Sequence, residues 1–160
     1  MVFIDKETND LSYKIIGCAY NVHKELGPGL LESAYETCLC YELSKIEINY
    51  EKQKGLPIIY KDVTLDCGYR IDILVENKIV IELKTVEKLL PIHTAQIMTY
   101  LKLSNKHLGL LFNFYNANLQ NGIKTYIRDR KVAMNALKKA NHKCEVDSEH
   151  EVFLRRNVEV

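Results

Sequence analysis

The sequence has no surplus of charge of either sign. In 160 residues, 22 Lys and Arg stand against 21 Asp and Glu, a net of +1. That removes the simplest compositional argument for a nucleic-acid binder, a strongly basic chain. Long apolar runs are also missing. The longest, around Leu108–Phe112, suits a buried strand and falls far short of the roughly 18 residues that mark a membrane span. The opening Met1-Val2-Phe3-Ile4-Asp5-Lys6 lacks the basic-then-apolar pattern of a secretory leader, so a cytoplasmic location without a membrane partner is expected. The five cysteines (Cys18, Cys38, Cys40, Cys67, Cys144) are an odd number and contain no C-x-x-C pair. Neither a disulfide framework nor a zinc site fits that set, which leaves reduced, structural thiols. There is no internal repeat and no low-complexity tract. What is present, 47% hydrophobic and 27% charged residues over a length suited to one domain, describes an ordinary globular chain.

Periodicity divides the chain. Asn9 or Asp10 can cap a helix running to about Leu26, with Leu11, Ile15, Ala19, Val22 and Leu26 on one stripe. Gly27-Pro28-Gly29 stops it, because glycine reaches positive φ and proline cannot continue a helix. A second helix is predicted from about Leu30 to Ser44, with Leu31, Ala34, Cys38 and Tyr41 down one side, giving a helical hairpin. From Ile46 the texture becomes strands and turns, punctuated by Gly55, Pro57, Asp62 and Gly68. The clearest hairpin is Tyr69–Val75, then Glu76-Asn77-Lys78, then Ile79–Thr85. A helix over Pro91–Ser104, a continuous apolar strand over Lys106–Phe114 and a short strand over Ile123–Arg128 follow. Such an unbroken apolar run suits a central strand covered on both faces. The order ααβββαββ implies an α/β fold, a mixed central sheet flanked by helices.

Two acids and a lysine stand among β-branched residues in the hairpin Arg70-Ile71-Asp72-Ile73-Leu74-Val75 and Ile79-Val80-Ile81-Glu82-Leu83-Lys84. Charge in such strands is costly unless paired, hydrated or bound to a metal. Glu82 and Lys84 share a strand face. Asp72 joins them only if residues 76–78 form a three-residue loop that sets 72 opposite 82; a two-residue loop would turn the aspartate away. In the first case two carboxylates can hold Mg²⁺ or a similar hard cation, and the lysine can hold or activate a water. The plainer alternative is an ion pair on a solvated face. Glu32 can reach the same face, although a carboxylate in the first turn of a helix is also explained by the helix dipole. Gln96 and Tyr100, four apart, are neighbours on their helix and can bridge an acid, a lysine or a phosphate, or simply each other.

Taken together, Gly29-x-x-Glu32-x-x-Tyr35, Arg70-x-Asp72 and Ile81-Glu82-Leu83-Lys84 resemble the GxxExxY proteins of the PD-(D/E)XK nuclease superfamily, over about residues 10–128. The resemblance implies a restriction-endonuclease-like fold and a Mg²⁺- or Mn²⁺-dependent nuclease acting on nucleic acid, DNA in the first instance. It implies that Asp72 and Glu82 ligate the metal with the Leu83 carbonyl, that Lys84 orients or activates water, and that Glu32 supports the metal site. Gln96 and Tyr100 match a Q-x-x-x-Y motif, and Tyr35 is expected to pack. Ile71 stands where the superfamily pattern has proline.

Charge is unevenly spread. Residues 1–123 hold 13 basic and 15 acidic side chains, residues 124–143 seven and one, and residues 144–160 two and five. The expected phosphate contacts are Arg70 and, in the basic stretch, Lys124, Arg128, Arg130 and Lys131. Residues 1–128 are expected to form the nuclease-like domain, with 129–160 a basic, then acidic, extension packed on it or trailing it. Within that extension, 131–141 reads as a helix and 152–154 as a strand or docking segment. A homodimer or a larger DNA-processing partner is compatible with so small a chain. The alternative function is a non-catalytic nucleic-acid-binding or protein-interaction module on the same fold.

Overall fold

A computed structural model of the protein describes residues 4–129 and 154–156. The chain runs α1 (Lys6–Leu26), α2 (Glu32–Lys45), β1 (Tyr50–Tyr60), β2 (Val63–Val75), β3 (Ile79–Lys84), α3 (Pro91–Leu103), β4 (Leu108–Asn113), a 3₁₀ turn (Leu119–Gly122), β5 (Ile123–Ile127) and β6 (Leu154–Arg156). The predicted order and the mixed α/β architecture are therefore the ones formed. The six strands lie in sequence order, β3 and β4 parallel and every other neighbouring pair antiparallel. Among the described residues no helix is long and apolar enough to cross a membrane.

Two apolar layers sandwich the sheet. On one face α1 and α2 pack through Ile15, Ala19, Tyr35, Leu39 and Leu43 onto Ile73, Ile81, Leu83 and Phe112. On the other, α3 packs through Ile97 and Leu101 onto Leu74, Val80 and Leu111. β4 is buried along its whole length, as its unbroken apolar run requires. Gly109 on that strand admits α3, since a Cβ there would lie 3.0 Å from Ile97.

The helical hairpin departs from its sequence reading in two ways. The N-cap of α1 is Asp5, whose carboxylate accepts from the Thr8 N–H at 2.8 Å, so the helix starts earlier than a cap at Asn9 or Asp10 allows. The buried face of α2 is Tyr35, Glu36, Leu39, Cys40 and Leu43, while Leu31 and Tyr41 are exposed. Tertiary contact decides that rotation. The Tyr35 ring stacks on Phe114 with centroids 4.3 Å apart, its hydroxyl donates to the Gly27 carbonyl, and it accepts from the Leu30 N–H. Tyr35 thus latches the Gly27-Pro28-Gly29 turn, in which Gly29 sits at φ 107, and fixes where α2 begins. Cys18 and Cys40 are buried, Cys38 half-buried and Cys67 exposed, all of them unpaired. Burial pushes the Cys40 thiol up to about 11, which suits an inert packing role.

The end of the chain is described only at Leu154–Arg156, which pairs antiparallel with β5. The helix predicted over 131–141, as well as Arg130, Lys131 and Cys144, lies outside the described residues.

Candidate active site

The hairpin between β2 and β3 sets the site. Its ladder pairs Val75 with Ile79, Leu74 with Val80 and Ile73 with Ile81, leaving residues 76–78 as a three-residue loop. Glu76 and Asn77 take φ of 48 and 52 and the Lys78 N–H donates to the Val75 carbonyl at 2.9 Å, a tight primed turn after which Lys78 is the extra, unpaired residue. That register brings Asp72 opposite Glu82. The ladder stops one pair short of them, and the carboxylates take over the next backbone amides. The Leu83 N–H donates to Asp72 Oδ2 at 2.8 Å, and the Asp72 N–H points to Glu82 Oε1 at 3.4 Å. The two strands part where the acids stand.

Lys84 closes this cluster, with Nζ 3.7 Å from Glu82 Oε2; the glutamate side chain is 2% exposed and the lysine 12%. The chain leaving β3 is pinned by Asn113 at the end of β4, whose side chain accepts from the Val86 N–H at 3.1 Å and donates to the Val86 carbonyl at 2.7 Å. The Phe114 N–H donates to the Lys84 carbonyl at 2.9 Å. Lys84 therefore projects from fixed backbone.

Both helical layers contribute at this opening. Glu32, in the first turn of α2, takes a hydrogen bond from the Thr85 N–H and lies within the fields of Lys84 and Asp72. From the other layer, Gln96 Nε2 donates to the Tyr100 hydroxyl at 3.0 Å. The Tyr100 hydroxyl is held above its ordinary value by burial, against the Gln96 bond and with Glu82 and Asp72 adding to the rise. The Tyr69 ring meets Tyr100 edge-on, with centroids 6.4 Å apart. The structure thus brings Glu32, Asp72, Glu82, Lys84, Gln96 and Tyr100 into one region.

The acids repel each other there. Burial first, then Asp72, pushes the Glu82 carboxyl up to about 9, and Lys84 offsets only part of that at its loose 3.7 Å separation. Burial raises Asp72 as well, against the Leu83 N–H and Lys84. Burial raises Glu32, with Lys84 opposing. Among the described residues no three His, Cys, Asp or Glu side chains converge as a metal-holding group. The metal-competent element is therefore the facing pair Asp72–Glu82. Two facing carboxylates that share a single, loosely placed lysine fit a hard, oxygen-ligated cation, which accepts a few carboxylates and fills its shell with carbonyl and water oxygens.

Of the expected phosphate contacts, Arg70 is exposed beside Asp72, and its Nη1 donates to the Gln53 carbonyl at 3.4 Å. Lys124, half-buried on β5, lies in register with Leu111 and through it with Glu82, two strands from the acid. Arg128 is not an open contact. It is 8% exposed, with its guanidinium turned to Asn105 and its backbone N–H to the His107 carbonyl, because Arg128 continues the β5 pairing alongside the residue that precedes β4. Sequence reasoning missed Gln53, which bridges Glu36 to this cluster, as well as Tyr69 and Asn113. A glutamine between lysines, an exposed tyrosine and an asparagine at a strand end carry no periodic signal.

A family model of the PD-(D/E)XK nuclease superfamily matches residues 9–126. Neither the curated proteins nor the solved structures contain a match to the chain.

Proposed function

The chain belongs to the PD-(D/E)XK nuclease superfamily, and on that premise we propose that it is a metal-dependent nuclease hydrolysing phosphodiester bonds in nucleic acid, DNA first. The observation that carries this reading is the three-residue loop register, which sets Asp72 across from Glu82 with Lys84 two residues on. Residues 1–128 are its nuclease-like domain, working in the cytoplasm, and the Gly29, Glu32 and Tyr35 signature allies it with the GxxExxY proteins.

Asp72 and Glu82 hold Mg²⁺ or Mn²⁺, with the Leu83 carbonyl as a further ligand and Glu32 supporting the site from α2. Once bound, the cation polarises the phosphoryl oxygen and lowers the pKa of a bound water. The chain's own groups do the rest. Lys84 Nζ, fixed by its backbone, donates to the attacking water or to the charge growing on the phosphate. Gln96 and Tyr100 carry donors on the α3 side, where they steady the scissile phosphate. Arg70 and Lys124 draw the phosphate backbone towards the site, joined by Arg130 and Lys131.

The test is a cleavage assay with Mg²⁺ or Mn²⁺ on plasmid and single-stranded DNA. Lys84→Ala and Asp72→Ala should each lower cutting by a factor of at least about 10² while leaving the fold intact. Undiminished cutting by both variants overturns the assignment. Salt-sensitive DNA binding with no cutting by the unaltered protein favours a non-catalytic module.

A further inference from the structure

Gln53 is the one residue inside a strand among the described non-glycine residues with positive φ. Its φ is 50, whereas Glu47, Lys61, Glu76, Asn77 and Asn105 all lie in turns. Side chains rarely adopt this conformation in extended chain, and it persists only where the surroundings enforce it. The neighbouring pairs Lys52–Ile73 and Lys54–Ile71 set Gln53 directly across β1 from Asp72. Since Asp72 in turn faces Glu82, the three residues form a line across β1, β2 and β3.

The Gln53 amide has two N–H protons to give. Its Nε2 donates to Glu36 Oε2, and its side chain helps to hold down the pKa of the Asp72 carboxyl, which stands opposite it on β2. The other Glu36 oxygen is occupied by Lys52, with Nζ at 3.4 Å, so Glu36 is a fixed and buried anchor on α2. On the backbone side, the Gln53 carbonyl accepts from Arg70 Nη1, which ties residue 53 to the strand that carries Asp72. Asp72 thus stands between two neighbours: the Leu83 N–H holds Oδ2 from β3, and Gln53, anchored on Glu36, lies opposite it on β1.

We infer that Gln53 is a positioning residue: its strained backbone and bridging amide tie Asp72 to Glu36 on α2 and fix the aspartate in the orientation in which it receives the divalent cation. The inference rests on the reading of Asp72 as a metal ligand. Losing a group that orients a ligating carboxylate typically costs about 10- to 100-fold in metal affinity or activity.

The experiment measures Mn²⁺ binding by titration calorimetry, together with thermal melting, for the unaltered chain, Asp72→Ala, Gln53→Met and Gln53→Gly. The methionine keeps the side-chain length and removes the donors; the glycine also removes the backbone strain. Both Gln53 variants are expected to bind Mn²⁺ about tenfold more weakly, and Gln53→Gly to melt no lower than the parent. In cleavage assays the metal concentration for half-maximal rate should rise while the KM for DNA stays put. If the parent binds Mn²⁺, Asp72→Ala does not and both Gln53 variants bind within twofold of the parent, the inference is overturned. A parent chain that binds no Mn²⁺ instead overturns Asp72 as a ligand, and the inference with it. Should the methionine variant fail to fold, the glycine variant decides.

Discussion

Glu82 is the residue whose chemistry is most altered by its surroundings. Its carboxyl is raised from 4.5 to about 9 by burial and by Asp72, so at neutral pH and without metal it carries a proton. A carboxyl raised on folding means that the folded protein binds more protons than the unfolded chain between these two values. Its contribution to stability is complete below about 4.5 and is lost as pH climbs towards about 9. Metal-free protein should therefore melt at progressively lower temperature than its Glu82→Gln variant as pH rises through this window. Mg²⁺ should narrow that gap by favouring the ionised acid. Parallel melting curves for the two proteins at every pH would show that Glu82 titrates normally.

At the scale of elements, the β2–β3 turn and the α1–α2 turn do the placing. Side chains alternate along a strand, so a one-residue slip in the hairpin would send Asp72 to the opposite face. The loop of residues 76–78 is therefore what joins the acids. Deleting Asn77 leaves a two-residue loop under the same Val75–Ile79 pair, so the folded deletion protein should keep Mn²⁺ binding and cutting. Loss of Mn²⁺ affinity in the folded deletion protein would mean that the strands had slipped by one residue and turned Asp72 away. The α1–α2 turn acts from the other layer. Gly29 supplies the left-handed conformation, Tyr35 clamps the turn through Gly27 and Leu30, and Glu32 is delivered to the end of β3, where it meets the Thr85 N–H. The G-x-x-E-x-x-Y spacing is legible physically as turn, acid and latch.

For the whole molecule, the two layers cover opposite faces of β3 and β4, and the acids stand where the β2–β3 ladder ends. The overall charge conceals a division between a slightly acidic body and a stretch, 124–143, with seven basic side chains and one acidic. If that stretch, Lys124 included, follows a phosphate backbone, the logarithm of DNA affinity should fall linearly with the logarithm of salt concentration. Lys124→Glu should then weaken binding about equally across sequences and reduce the slope by about one. A binding constant indifferent to salt would remove the basic segment from the interface.

How much of this was legible beforehand follows from the range of the forces involved. Local patterning determined the element order, the Gly27-Pro28-Gly29 stop, the buried β4 and the short list Asp72, Glu82 and Lys84, because helix period, strand alternation and the cost of charge among apolar neighbours act within a few residues. The choice between a two- and a three-residue turn was also visible as a choice, though not its outcome. Only the tertiary structure decided that outcome, the rotation of α2 onto Tyr35, Leu39 and Leu43, the burial of Arg128 and the bond from Gln53 to Glu36. Each depends on contacts between segments far apart in the chain, such as Tyr35 against Phe114, and their energies exceed the small local preferences they override.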